Sequence, residues 1–157
     1  MPRHPALGPG AKRHRPVKER LAHIVREAAR AFVRALTLRL AEHGVSFGHW
    51  AFLRILWERD GLTQRELSEM AGVMEPTTFA ALKAMEDLGY VERRQVPGNR
   101  KNVYVYLTPQ GRALKKKLVP LAEDVNKVAT RGAKADELAT TRRVLLAMLD
   151  NLGRPEK

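Results

Sequence analysis

The chain has 157 residues, 44% of them hydrophobic and none of them cysteine. That length supports about one domain with an ordinary core, and the cysteine count rules out disulfides, thiolate nucleophiles, cysteine-bound metals and thiol-based redox sensing. Charge is the outlying quantity: 29 Lys+Arg against 17 Asp+Glu leaves a formal +12, a surplus that draws polyanions and favours nucleic acid as a partner.

In chain order, residues 1–17, "MPRHPALGPGAKRHRPV", are rich in proline, glycine and cations and predict a flexible basic arm. Its Arg3, Lys12, Arg13 and Arg15 either brush phosphates or remain solvated. The arm holds no apolar stretch of the kind a secretory signal needs, and no run approaches the ~20 apolar residues of a spanning helix. A cytoplasmic protein without a membrane role is therefore expected.

From Lys18 to His43 the pattern is helical. Leu21, Val25, Ala28, Phe32, Leu36 and Leu40 form one apolar stripe at steps of three and four. Ile24, Ala31, Ala35 and Leu38 broaden it beyond what one surface helix needs, and a second copy of the chain is the natural supplier of the extra cover. Gly44 ends the helix. A second helix opens with Ser46 as N-cap and turns Trp50, Leu53, Leu56 and Trp57 inward. A third begins with the capping box of Thr63 and Glu66, with Leu67, Met70 and Ala71 as its buried face. The fourth, "EPTTFAALKAMEDLG", carries Pro76 in its first turn and Gly89 at its end. Two strands with period-two alternation follow, joined by the turn "PGNRK"; Tyr104 and Tyr106 are expected half-buried on the second strand. Thr108 then caps a helix with Pro109 at its first position and an interruption or bend near Pro120. A last helix covers 135–152, with Leu138, Val144, Leu145, Met148, Leu149 and Leu152 apolar.

Two short helices separated by a few residues have the spacing of a helix-turn-helix, whose second helix enters the major groove. A strand, cationic turn and strand directly after it make the winged version. The fold expected is mainly α with a small β-hairpin wing: a winged helix-turn-helix lobe over 46–107, flanked by dimerisation helices at 18–45 and 108–152 and a tail at 153–157. On the fourth helix Thr78, Ala81, Leu82 and Met85 recur on the inward stripe. The residues expected to meet DNA there are Glu75, Pro76, Thr77, Thr78, Phe79, Ala80 and Lys83, Thr78 thus belonging to both sets. Small side chains let the backbone approach a groove, and threonine hydroxyls or methyls suit base edges. In the wing Arg94, Asn99, Arg100 and Lys101 are placed for phosphates or the minor groove, with Thr63 and Gln64 supplementing them from the third helix.

The stretch "GVSFGHWAFLRILWERDGLTQRELSEMAGVMEPTTFAALKAMEDLGYVERR" followed by "LTPQGRAL" resembles the MarR family of winged-helix transcriptional regulators, the likeness covering about residues 18–152. The resemblance implies an obligate homodimer whose first and last helices interlock. It also implies a pseudo-palindromic double-stranded DNA operator, and repression relieved by a small, often aromatic and anionic, ligand. Two positions depart from the family pattern. Asn99-Arg100-Lys101 stands where Asp-x-Arg is common in the wing, and Ala80 stands where an arginine often reads bases. By the same resemblance an effector site falls near the start of the second helix, offering Phe47, His49 and Trp50 with Arg30, Arg34 and Arg39 from the first. An aromatic wall with an arginine fork suits an aromatic carboxylate; the alternatives are a core tryptophan, a satisfied histidine and a solvated arginine face.

Other functions remain in view. The charge would equally serve a nonspecific architectural DNA- or RNA-binding protein, and the same fold serves activators. An enzyme is disfavoured: His23, His43 and His49 lack metal-ligand spacing, and neither a glycine-rich phosphate loop nor a nucleophile elbow is present. No metal or cofactor is expected.

Overall fold

The computed structural model describes residues 20–153. The basic arm expected over 1–17 lies outside the described residues, as does the tail beyond Gly153. The elements are α1 (Leu21–Ala41), α2 (Phe47–Glu58), β1 (Leu62–Thr63), α3 (Gln64–Ala71), α4 (Glu75–Asp87), β2 (Val91–Val96), β3 (Asn99–Leu107), α5 (Pro109–Ala129) and α6 (Ala135–Leu152).

The helix starts follow from local side-chain chemistry. Ser46 Oγ accepts the His49 amide at 3.1 Å, Thr63 and Glu66 complete the reciprocal capping box, and Thr108 Oγ1 accepts the Gly111 amide at 3.0 Å. Each satisfies one or two of the backbone donors that a helix start leaves orphaned. Between α3 and α4 the chain turns through Gly72 at φ +67°, a left-handed conformation that costs glycine nothing.

The hairpin gains a third strand that periodicity did not reveal. The sheet order is β1-β3-β2, all antiparallel, with Leu62 opposite Val105 and Thr63 opposite Tyr104. A two-residue strand is too short to display alternation, so only its pairing identifies it. On β3, Val105 and Leu107 face the core while Tyr104 and Tyr106 are half-buried on the opposite side.

One core joins the end of α1, the helices α2, α3 and α4, the sheet and the first half of α5. Leu40, Leu53, Leu56, Leu62, Leu67, Leu82, Met85, Val91, Val105 and Leu118 are its fully buried members. Each leucine there contributes roughly 1.5–3 kcal/mol of burial. α1 lies along α5 and is tied to it by Arg39, whose guanidinium meets Asp124 at 3.0 Å.

Two expectations are corrected. Met70 is 54% exposed; the position it was expected to fill is taken by Ser68, whose hydroxyl is needed inside to meet Thr78. α5 runs through Pro120 without the interruption that was one of the two alternatives expected there. That proline is solvent-exposed, where water can serve the carbonyl its missing N–H leaves free.

Among the described residues, the first and last helices keep apolar faces open. Leu21, Ile24, Val25, Phe32, Val33 and Leu38 of α1 are exposed, as are Leu138, Leu145, Leu146, Leu149 and Leu152 of α6. Among the described residues α6 has no buried residue and no substantial packing on another element.

Candidate nucleic-acid interface

α4 stands on the lobe with Leu82, Met85 and Thr78 buried beneath it. Glu75, Thr77, Phe79, Ala80 and Lys83 are exposed, as the stripe predicted, and so is Pro76, while Ala84, expected outward with them, is half-buried. Thr78 is the correction in this set. It is 0% exposed, and its hydroxyl lies 2.7 Å from Ser68 Oγ, which lies 2.9 Å from the Gln64 carbonyl. With one proton on each hydroxyl, Thr78 donates to Ser68 and Ser68 donates to Gln64, so the pair pins α4 to α3. It is a packing residue, turned about 100° per residue away from its neighbours on the open face.

The start of α3, the start of α4 and the wing border one cleft of about 360 Å³, lined by Thr63, Gln64, Arg65, Glu75, Lys101 and Val103 among others. The cleft thus gathers residues that sequence reasoning had placed in three separate groups. Thr63 is less available than expected. Its Oγ1 both accepts the Glu66 amide at 3.1 Å and donates to the Glu66 carboxylate at 3.2 Å, which leaves it acting as a cap. The Thr63 backbone amide donates to the same carboxylate at 2.8 Å, and this bond, helped by the one from the hydroxyl, holds the Glu66 carboxyl below the usual carboxylate range.

In the wing, Gly98 turns at φ +88° and the ladder shifts register between Gln95 and Val96. Asn99 Oδ1 accepts the Lys101 amide at 3.3 Å, so the residue in place of the family's aspartate braces backbone. Lys101 is exposed beside it. Arg100 belongs to β3, with its side chain outside the described residues. Arg94 is exposed on the outer sheet face, paired with Glu92 and placed 4.5 Å over the Tyr106 ring. Tyr106 in turn lies against Gly61, where a Cβ would approach the ring within 2.8 Å.

Two residues at this interface carry no sequence signal of their own. Arg93 of β2 forks onto Glu86 of α4 through Nε to Oε2 at 3.0 Å and Nη2 to Oε1 at 3.2 Å, while its backbone amide donates to Oε2 at 3.2 Å. The hydrogen bonds from Arg93 hold the Glu86 carboxyl below its usual range, and Glu86 in turn raises the Arg93 guanidinium. Nothing in helical or strand periodicity links a position on one element to a position on the next.

The residues expected around an effector are not brought together. Phe47 and Trp50 border one cleft of about 220 Å³ with Phe32, Leu36, Arg54 and Val125. Arg30 and Arg34 border a different groove with Arg26 and Val33. The reason is azimuth: Arg34 lies about 160° around α1 from Leu36, which faces the core. Arg39 lines a third groove, between α1 and α5. Trp50 itself is 5% exposed and mostly core, edge-on to Trp57 at 5.6 Å. His49 is half-buried near the start of α2, its Nδ1 buried without a partner, and burial lowers its pKa.

Comparison with known proteins settles the family. The MarR family profile matches residues 45–103. The HTH-type transcriptional repressor Mb2911 of Mycobacterium bovis is 31% identical over 114 residues, 73% of this chain and 79% of that protein. The chain belongs to the MarR family. The HTH-type transcriptional regulator TtmR of Methylorubrum extorquens is 34% identical over 132 residues, 84% of this chain, and the chain spans 63% of that regulator's length. Among solved MarR structures, one from Listeria monocytogenes in complex with a 26mer DNA superposes with a TM-score of 0.77 at 22% identity, covering 86% of this chain and 90% of that one. No helix among the described residues is long and apolar enough to cross a membrane.

Proposed function

We propose that this MarR family member is a cytoplasmic repressor which binds a pseudo-palindromic operator as a homodimer and leaves it when a small aromatic, anionic effector binds. One arrangement carries the reading: Glu75 at the start of α4 shares a single cleft with Lys101 of the wing, while the apolar stripes of α1 and α6 stay uncovered among the described residues. The first arrangement suits a duplex, with α4 in the major groove and cations on phosphates or in the adjacent minor groove. The second suits a twin copy. Two-fold symmetry then sets half-sites about one turn, ~10 bp, apart.

Within the lobe the roles divide by chemistry. Thr77 offers a hydroxyl and a methyl to base edges, Glu75 an acceptor for a cytosine amino group, and Lys83 a cation for a phosphate or a guanine edge. For the effector, the cleft lined by Phe32, Phe47, Trp50 and Arg54 combines aromatic walls with one guanidinium, which supports an aromatic carboxylate.

The test is selection of bound fragments from the source genome, followed by titration at physiological salt against competitor DNA. Thr77→Ala should change the preferred sequence, whereas Thr78→Ser should leave it alone. Aromatic acids should then release the complex, and Trp50→Ala should blunt that release. Equal affinity for every duplex would refute the reading.

A further inference from the structure

Phe79 is 48% exposed at the edge of the open face of α4, on the side of β2, although phenylalanine is among the residues most often buried. It is not left loose. The Arg93 guanidinium carbon stands 5.4 Å from the ring centroid, and Arg93 is itself clamped to Glu86 by two side-chain hydrogen bonds of 3.0 and 3.2 Å. Glu86 follows Phe79 by two helical turns and shares its side of α4. Arg93 therefore lies along the helix between the two, its donors turned to the carboxylate and its flat face to the ring. The pair is only partly open to solvent, with side-chain exposures of 23% for Arg93 and 38% for Glu86. Two of the five N–H donors of Arg93 are taken by the carboxylate, so a phosphate contact would fall to the remaining ones, a role that the salt slope of binding separates from positioning.

A phenyl ring offers no donor or acceptor, so the feature it can distinguish in a major groove is apolar. Thymine alone among the bases carries one there, its C5-methyl. Exposed Ala80, the next residue around the open face, is small enough to let the ring approach. Holding the ring beforehand also removes part of the rotamer entropy that binding would otherwise cost.

We propose that Phe79 recognises a thymine methyl in each half-site and that Arg93 and Glu86 are the positioning residues that keep its ring aimed. The inference rests on α4 entering the major groove as proposed above.

The experiment uses the full chain and the operator it selects, with each thymine replaced in turn by deoxyuridine in both half-sites and affinity read by fluorescence anisotropy. The parent protein should show one position per half-site where losing the methyl weakens binding about fourfold, the effect of exposing one buried methyl. Phe79→Ala should bring that thymine-to-deoxyuridine ratio to about one. Arg93→Gln and Glu86→Gln should each lower the ratio while leaving the salt dependence of binding unchanged. Arg93→Lys, which keeps the charge and loses the fork, should lower it too. Should the Arg93 variants fail to fold, Phe79→Ala decides, since its site is exposed.

A parent protein indifferent to deoxyuridine at every thymine would overturn the proposal alone, as would an unchanged ratio in Phe79→Ala. A salt slope reduced in Arg93→Gln would make Arg93 a phosphate contact and overturn its positioning role. A parent protein that selects no duplex would overturn the inference together with the reading beneath it.

Discussion

Leu149 offers the sharpest test of the proposed dimer. It is 68% exposed on α6, a helix with no buried residue among the described residues. Truncation to alanine removes three carbons, each worth ~0.8 kcal/mol when fully buried. With 68% of the residue still available to bury, the loss is about 1.6 kcal/mol per copy. Two-fold symmetry counts it twice, giving about 3 kcal/mol per dimer. At ~1.4 kcal/mol per factor of ten, Leu149→Ala should raise the dimer dissociation constant by about two orders of magnitude. Sedimentation equilibrium across a concentration series reads this directly. Leu88→Ala is the control, a leucine 47% exposed at the end of α4 that belongs to the lobe and should leave association unchanged. A parent protein that sediments as a lone subunit at micromolar concentration would refute the reasoning. So would a Leu149→Ala variant as tightly paired as the parent.

Replacing both Arg100 and Lys101 by alanine should weaken binding to specific and random duplexes alike, and reduce the salt slope by about one per cation per subunit, as anisotropy at several salt concentrations would show. Gly111→Ala should destabilise the fold by about 1–3 kcal/mol or more in urea melts, because its Cβ would collide with the Tyr90 carbonyl oxygen; helix propensity alone would have favoured alanine. For His49, burial lowers the imidazole pKa below its ordinary value of 6.5. Its stabilising contribution is therefore whole above that value and falls as pH drops toward the lower folded value. Thermal melts between roughly pH 7.5 and 5.5 should show a decline that His49→Gln flattens.

Much of the fold was legible because its signals are local. A cap needs three or four consecutive residues, so Ser46, Thr63 with Glu66, and Thr108 announced three helix starts that the structure places as expected. The alternation of Val105 and Leu107 with Tyr104 and Tyr106 announced the strand in the same way. What escaped depends on contacts between elements. β1 exists because Leu62 pairs with Val105 far along the chain. Met70 and Ser68 exchanged roles because the hydroxyl of Ser68 has Thr78 as its partner, a fact of tertiary packing. The Arg93 fork on Glu86 joins a strand to a helix. For the effector residues, spacing put Arg30 and Arg34 on one side of α1 but carried no information on how that side is turned relative to α2.

Gly89-Tyr90 and Leu107 through Leu114 meet in one crowded joint. Thr108 donates its hydroxyl to the Gly89 carbonyl at 2.5 Å and its amide to the Tyr90 carbonyl at 3.1 Å. Trp57 Nε1 donates to the Gly111 carbonyl at 2.9 Å. Asp60 accepts the Leu107 amide at 2.9 Å and Arg112 Nη2 at 2.9 Å. Together these bonds fasten the end of α2, the α4–β2 connection, the end of β3 and the start of α5 at a single place. α5 therefore cannot turn against the sheet without giving up several of them at once, at roughly 0.5–1.5 kcal/mol each. The wing and α4 must then travel with the first half of α5 as one body. An effector that alters the distance between two such bodies has to act beyond the joint. The cleft shared by α1, α2 and the later turns of α5, where Phe32 and Trp50 face Val125, meets that condition. There the neighbours of α5 are mostly apolar side chains, and in the adjoining groove a partly exposed Arg39–Asp124 pair, contacts that slide far more cheaply than the bonds of the joint break.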